Sequence, residues 1–298
     1  ILDDPACQVE SEPVCRLSRM SYYLRQGRRN EAVADLRAVV GNPRVNLSET
    51  QAGVIVLDEL RRAFAGNMND VLGILNEVKP AAGWPESFKL SVLRAQLGDA
   101  SMREKAMADL DALTNSPEKA VAVGACSTLG ANEYLAAEDA RKKNDSTTAS
   151  MRFERAVTVF QKGLNLNPDV TELNNNLAFV LAKGLNRPAD ALPFGIKAAA
   201  KEPDNANILD TLGVIYLMLN DLTKAEETLG RALSTSSDGL SRTMPLIHMI
   251  ELKLKKDDRQ AAESLFRELN TLQETEPRVK TSYQKDIEEI TKRMQTAP

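Results

Sequence analysis

Two stretches of the chain repeat each other at a spacing of 34 to 35 residues. Leu177 recurs as Leu212, 35 residues later, and Ala191 recurs as Ala225, 34 residues later. Repetition at this period is typical of chains in which one small helical unit is copied and stacked, because a single unit cannot bury its own apolar face. The one-residue difference predicts an insertion in the turn around Asn186, where an extra residue costs little.

Within each repeat, the distribution of small and large residues favours two closely packed antiparallel helices. Small side chains let the helices approach, and large ones fill the space between neighbouring pairs. In the second stretch the small residues are Gly213, Ala225 and Ala232, and the large ones are Leu212, Tyr216 and Leu229. The turn Leu219-Asn220-Asp221 is expected to end one helix and cap the next. Pro168 and Pro203 stand between successive repeats, where a proline separates one helix from another.

This second stretch resembles the tetratricopeptide repeat. The family pattern contains a Leu-Gly pair, a Tyr, an Ala, a large apolar residue, a second Ala and a closing Pro. The chain matches it with Leu212-Gly213, Tyr216, Ala225, Leu229 and Ala232, and has Ser237 in place of the closing proline. The resemblance implies an all-α fold, a right-handed α-solenoid of about seven antiparallel helix pairs followed by a C-terminal capping helix.

The resemblance varies along the chain and suggests a division into three parts. Residues 1–83 are interpreted as degenerate N-terminal helical repeats, and residues 84–275 as clearer repeats, with the strongest match over 151–238. Residues 276–298 are highly charged on one face and predict a capping helix, which a stack needs to cover its last apolar surface. The three parts are expected to form one continuous solenoid.

One repeat is longer than the others. Gly130 and Ala156 are 26 residues apart, whereas Gly213 and Ala225 are separated by only 12. The excess contains the polar stretch 140–150, which predicts an extended helix end and an exposed loop inside the repeat.

Residue types that carry catalysis or bind cofactors are sparse. His248 is the single histidine, which excludes a metal site built from several histidines. It is expected to be a surface or groove histidine on a helix. Neither a GxGxxG nor a GxxxxGK[ST] loop occurs. The chain is therefore predicted to be no enzyme and to use no metal and no cofactor.

The three cysteines form neither a zinc pattern nor a CxxC motif. Cys7 and Cys15 are close enough in sequence to pair if the compartment is oxidising. Cys126 is interpreted as a small buried apolar residue, as most unpaired cysteines are.

Charge and hydropathy restrict the class of partner. The net charge is −4, and acidic and basic residues are interspersed. The chain has no block of basic residues that could follow a phosphate backbone, so nucleic acid is not expected as a partner. No apolar stretch approaches the roughly 18 residues of a membrane span, so direct membrane insertion is not expected either. The chain begins at Ile1, which suggests a processed product or a piece of a longer protein.

The resemblance implies that the first helix of each pair lines a concave groove. The residues predicted to line this groove are Ser127, Tyr134, Asn175, Phe179, Lys183, Asn207, Asp210, Val214, Leu217, His248 and Glu251. Some family members bind a C-terminal carboxylate through polar side chains, but here Phe179 and Val214 stand at those positions. A mixed apolar and amide groove instead favours a helix or an extended segment as ligand. Alternatively, Phe179 and Leu217 only pack against the neighbouring helix.

The leading functional hypothesis is a non-catalytic protein–protein interaction scaffold that binds a peptide or helix of a partner protein. One alternative is a self-assembly module, and homo-oligomerisation remains open. Another is an accessory domain of a larger envelope or polysaccharide-export protein, or of an enzyme. The two repeats around Leu177 and Leu212 look like those of bacterial envelope and polysaccharide-export proteins, and this resemblance favours the periplasm or envelope over the cytoplasm.

Overall fold

The computed structural model describes residues 13–42, 44–47 and 50–296, which form sixteen α-helices and no strand. In chain order the helices are α1 Pro13–Arg25, α2 Arg29–Val40, α3 Thr50–Ala63, α4 Met68–Glu77, α5 Glu86–Gln96, α6 Arg103–Leu113, α7 Lys119–Lys142, α8 Ser146–Leu166, α9 Thr171–Phe179, α10 Pro188–Lys201, α11 Ala206–Met218, α12 Leu222–Thr235, α13 Gly239–Lys255, α14 Arg259–Thr275, α15 Pro277–Ser282 and α16 Gln284–Thr296. A π-helical segment, Val180–Gly184, continues α9.

The helices α1 to α14 form seven consecutive pairs, each joined by a short turn, and α15 and α16 follow as a cap. This confirms the predicted all-α fold of about seven pairs. The expected single capping helix is two helices, one short and one long. The chain divides into two compact units, Ile1–Leu129 and Gly130–Pro298, with the boundary inside α7. The continuity of the solenoid between them stays a prediction.

An apolar core cluster of the first unit is built from the facing sides of α1 to α5. Met20, Leu36, Leu60 and Ile74 are completely or almost completely buried in it. Asp35 of α2 is also buried, and Arg16 and Arg19 of α1 both form ion pairs with its carboxylate.

In the second unit, glycines of first helices meet large side chains of second helices. A Cβ added at Gly213 of α11 would lie 2.6 Å from Leu229 Cγ of α12. A Cβ added at Gly130 of α7 would lie 2.5 Å from the Phe160 ring of α8. Such distances are well inside van der Waals contact, so the small residues allow the close approach that the sequence pattern predicted.

The long repeat has longer helices and an ordinary turn, so the predicted exposed loop is wrong. Helix α7 continues 12 residues beyond Gly130, whereas α11 continues 5 beyond Gly213. Helix α8 begins 14 residues before Phe160, whereas α12 begins 7 before Leu229. Each helix has gained seven residues, about two turns. Two whole turns return the side chains to the same face, so the glycine contact is preserved.

The turns of the two repeats have the same length, the same backbone conformation at the asparagine and the same type of cap. Lys143-Asn144-Asp145 and Leu219-Asn220-Asp221 both join their helices through three residues, and φ is +61° at Asn144 and +62° at Asn220. Asp145 and Asp221 then cap the next helix by accepting a hydrogen bond from a backbone N–H. The predicted role of the 219–221 turn is confirmed.

The single extra residue in the repeat of α9 lies in its helix and not in the turn, so the predicted turn insertion is wrong. Three residues, 185–187, join α9 and its π-helical segment to α10, as in the neighbouring repeats. The N–H of Leu185 donates to the carbonyl of Val180, five residues earlier. A π-helical turn holds one residue more than an α-turn, and such turns are frequent at functional sites.

Helix α13 begins at Gly239, six residues before Pro245. Asp238 caps it in a capping box with Ser241, each side chain bonded to the other residue's backbone N–H. Pro245 cannot donate to the carbonyl of Ser241, and Ser236 Oγ donates to that carbonyl instead at 3.3 Å. The cap helices cover α13 and α14 with a separate core cluster containing Ile250, Leu269, Val279, Ile287 and Ile290.

Candidate functional site

An apolar pocket of about 240 Å³ lies between α7, α8 and α9. We call it the aromatic pocket, and its lining residues are Ala131, Tyr134, Leu135, Phe160, Asn176, Phe179 and Val180. Tyr134 meets Phe179 edge to face, with ring centroids 5.5 Å apart. Leu135 is largely exposed at the rim. The pocket thus offers an apolar site next to the π-helical turn.

A second cleft of about 250 Å³ lies beside it, between the first helices α9, α11 and α13 and the residue that follows α15. We call it the polar cleft, and its lining residues are Asn175, Asn176, Phe179, Asn207, Asp210, Thr211, Leu240, Ser241, Met244 and Tyr283. The two cavities share Asn176 and Phe179 and are therefore adjacent. None of the residues lining the polar cleft carries a positive charge.

A buried histidine–carboxylate pair lies against the polar cleft. His248 of α13 is 1% exposed, and its Nδ1 is 2.8 Å from Oδ1 of Asp210, which is 8% exposed. The expectation of a surface or groove histidine is therefore wrong, because His248 lies on the face of α13 that packs against α11. Serine and threonine hydroxyls of the described residues make no hydrogen bond to the imidazole, so the pair has no nucleophile of that kind to activate.

Asn175 carries an unsatisfied amide. Its Oδ1 is buried, and in the described part of the chain it has no hydrogen-bond partner. A buried polar atom without a partner costs free energy, about 1–3 kcal/mol, unless a ligand satisfies it. Asn175 is thus a position where a bound molecule would add a missing interaction.

Acidic groups dominate the electrostatics of this region. Burial, followed by the charges of Asp210, Asp238 and Asp286, raises the pKa of Tyr283 above its ordinary value. Burial likewise raises the pKa of Tyr134. Both phenols therefore stay protonated and can donate hydrogen bonds.

The structure does not bring all the predicted groove residues together in one groove. Asn175, Phe179, Asn207 and Asp210 line the polar cleft, Tyr134 lines the aromatic pocket, and Lys183 is exposed on the π-helical segment. Ser127 is buried in the first unit.

Four of the predicted positions offer little or no surface to a partner. Val214 is 3% exposed, and Leu217 packs in a core cluster with Ala225 and Leu229, as the alternative interpretation of Leu217 proposed. His248 is enclosed. Glu251 accepts a hydrogen bond from Arg293 of the cap.

Several lining residues are absent from the sequence-based set. Asn176 is adjacent to the predicted Asn175 but belongs to both cavities. Tyr283 comes from the cap, and Leu240 and Met244 come from the early part of α13. The Asp238–Ser241 capping pattern signals the true start of α13 and could have revealed the last two. The position of Tyr283 depends on how the cap folds back.

No group of three or more His, Cys, Asp or Glu side chains in the described chain is placed to share a metal ion. Within those residues, no helix combines the length and hydropathy needed to cross a membrane. Cys126 is fully buried in α7, as predicted. Cys7 lies outside the described residues, so its pairing with Cys15 stays a prediction.

No protein-family model and no curated protein matches this sequence. Solved structures do match. Residues 41 to the end of MamA from Desulfovibrio magneticus RS-1 superimpose with a TM-score of 0.50 at 21% identity, covering 64% of this chain and 96% of that one. A tetratricopeptide repeat protein from Parabacteroides merdae ATCC 43184 gives a TM-score of 0.52 at 13% identity, covering 94% and 98%.

The chain has the tetratricopeptide-repeat fold. The repeat landmarks around Gly213 and the paired helices of this chain lead to the same fold as the likeness to these structures. At such low identities the likeness concerns the fold, and function has to be argued from the site.

Proposed function

We propose that this tetratricopeptide-repeat chain is a non-catalytic interaction scaffold that binds a segment of a partner protein along the first helices of its second unit. The observation that carries the proposal is the adjacency of two cavities of different chemistry, which share Asn176 and Phe179. Binding sites commonly combine a mostly apolar depression with a few placed polar groups.

The chemistry of the two cavities suits a polypeptide. The aromatic pocket, rimmed by the exposed Leu135, can bury one apolar side chain. The amides of Asn175, Asn176 and Asn207 can exchange hydrogen bonds with backbone N–H and C=O groups, because an amide both donates and accepts. A partner segment would therefore gain burial at one end and backbone recognition at the other.

The proposal is tested with a partner captured by cross-linking from the cells that produce the chain. The double variant Phe179→Ala/Asn207→Ala removes one half-buried ring and one exposed amide from the two cavities. We expect the affinity for the partner, measured by calorimetry, to fall at least roughly tenfold, since central contacts of an interface commonly contribute 1–2 kcal/mol or more.

The matched control is Ile196→Ala on α10, a second helix, where the side chain is 46% exposed and away from both cavities. Both proteins are first compared by circular dichroism, so that a folding defect is not taken for a binding defect. Unchanged affinity in the double variant would sink the proposal. Binding of a second copy of the chain at the same surface, seen by light scattering, would favour self-assembly instead.

A further inference from the structure

We infer that the polar cleft recognises a cationic side chain, a lysine ammonium or an arginine guanidinium, carried by an extended segment whose neighbouring apolar side chain occupies the aromatic pocket. This inference rests on the proposed function and specifies the partner of the same site.

Two buried polar groups of the cleft are acceptors. Asp210 is a carboxylate in the cavity wall, and its recorded hydrogen bond in the described chain is the one from Oδ1 to His248. Its second oxygen remains available. Asn175 Oδ1 is buried and finds no hydrogen-bond partner among the described residues. Two acceptors on one cavity call for a ligand rich in N–H donors, and an ammonium has three while a guanidinium has five.

The surrounding charges have the same sign. Asp238 caps α13 at one side of the cleft, and Asp286 lies in the first turn of α16 at the cap. Together with Asp210, these carboxylates act on the hydroxyl of Tyr283, which also lines the cleft. A cation entering the cleft would meet the carboxylate of Asp210 in the wall and no lining lysine or arginine, and the charges of Asp238 and Asp286 also act on Tyr283, so the site is complementary to positive charge.

The adjacency of the two cavities suits one extended segment. Alternate side chains of an extended chain point to the same face and are about 6.5–7 Å apart. Because the cavities share Asn176 and Phe179, side chains at positions i and i+2 can reach one cavity each. The inferred recognition pattern is an aromatic or aliphatic residue, any residue, and then lysine or arginine.

Two synthetic peptides test the inference: acetyl-Ser-Phe-Ser-Lys-Ser-amide, and the same peptide with norleucine in place of lysine. Norleucine keeps the four-carbon chain of lysine and removes the ammonium group. We expect the lysine peptide to bind roughly tenfold more tightly or better, measured by calorimetry or NMR titration at low salt, because charge-assisted hydrogen bonds are the strong ones. Butylammonium alone, which has the cation but no backbone, is expected to bind at least about tenfold more weakly than the peptide.

Asp210→Asn is expected to abolish the preference for lysine, since the amide keeps an oxygen for His248 but loses the charge. Asp286→Asn changes only an exposed carboxylate and keeps the test valid if Asp210→Asn fails to fold; it should reduce the preference about two- to threefold. Glu227→Gln, an exposed charge on α12, is the matched control and should leave the preference intact.

The outcomes separate this inference from the proposed function. Equal binding of the two peptides overturns the cation site but leaves a peptide-binding groove. Absence of binding by both peptides up to about 10 mM overturns the cation site and removes support for the groove as well. Butylammonium binding as tightly as the lysine peptide would identify a small amine, and not a protein segment, as the ligand class.

Discussion

At the scale of single residues, the close approach of helices in the second unit depends on glycines, which have no side chain. Gly213 faces Leu229 and Gly130 faces Phe160, and in both places a methyl group would overlap the facing side chain. Gly230, in the interior of α12, has nothing within 4 Å of an added Cβ. The chain therefore contains a constrained glycine and an unconstrained one in the same helix pair.

Gly213→Ala is expected to lower the free energy of unfolding by about 1–3 kcal/mol, because the added methyl group overpacks the contact with Leu229. Gly230→Ala is expected to raise it by about 0.5–1 kcal/mol, since alanine favours the helix and meets open space. Urea denaturation of both variants checks this. Destabilisation of similar size in the two variants would contradict the packing argument.

The ion pairs of Glu226 predict a dependence of stability on pH. Hydrogen bonds from Lys253 and then Lys256 hold the pKa of Glu226 below its ordinary value. The folded state therefore favours the ionised carboxylate. Its contribution is fully present above the pKa of the unfolded chain, about 4.3, and is lost as the pH falls through the lower pKa of the folded state.

Glu226→Gln is expected to lower the free energy of unfolding by at most about 1 kcal/mol at pH 7, because the side chain is about one-third exposed and partly screened. The difference from the native chain should shrink toward zero as the pH is lowered below 4. Glu227→Gln, on the exposed face beside it, should show no such difference at either pH. A difference that persists unchanged in acid would argue against an ionic origin.

At the scale of elements, the molecule absorbs changes of length inside helices and leaves the turns alone. Helices α7 and α8 gain two turns each, and α9 takes up one residue as the π-helical segment Val180–Gly184. All three pairs retain a three-residue turn with an asparagine at positive φ, and an aspartate caps the following helix in the turns after α7 and α11. Turn geometry restricts which residues fit, whereas a helix can lengthen by whole turns without altering its packed face.

The cap helices α15 and α16 also contribute to stability, because they cover apolar surface of α13 and α14. Ile290→Ala, at a position that is 1% exposed in the cap cluster, is expected to cost about 2–4 kcal/mol. Ile196→Ala makes the same chemical change at an exposed position of α10 and should cost less than about 1 kcal/mol. Thermal or urea unfolding compares the two, and equal losses would show that α16 is not packed as described.

At the scale of the whole molecule, a stack of repeats is held together mainly by contacts between neighbours. Stability can then differ from one part to another, and a single two-state transition is not guaranteed. The fluorescence of the single tryptophan reports on the unfolding of one part of the chain. Trp84 stacks on Phe88 in the first unit, with ring centroids 4.7 Å apart.

Gly213→Ala lies in the second unit and is expected to shift the urea midpoint seen by circular dichroism while leaving the midpoint seen by Trp84 fluorescence nearly unchanged. The reason is that the strain is local to α11, α12 and their neighbours. Equal shifts by both probes would show that the two units unfold as one cooperative body.

The repeat landmarks show how far local information reaches. Gly213, Ala225 and Leu229 predict the helix pair because they pack within it, and the same positions recur in other repeats. Capping residues such as Asp221 bond the backbone N–H only three residues later, so they can also be predicted from the sequence. Helix number, pair order and the existence of a cap follow from such short-range rules.

By itself, therefore, the sequence determined the class of fold, the small and large positions of the best repeats and the scarcity of catalytic residue types. Only the tertiary structure decided that the extra residue near Asn186 forms a π-helical turn, that His248 is buried against Asp210, and that Tyr283 reaches the polar cleft. These features depend on the rotation of each helix about its axis and on contacts between elements far apart in the chain. One residue of register changes which face is buried, and no local pattern specifies that rotation.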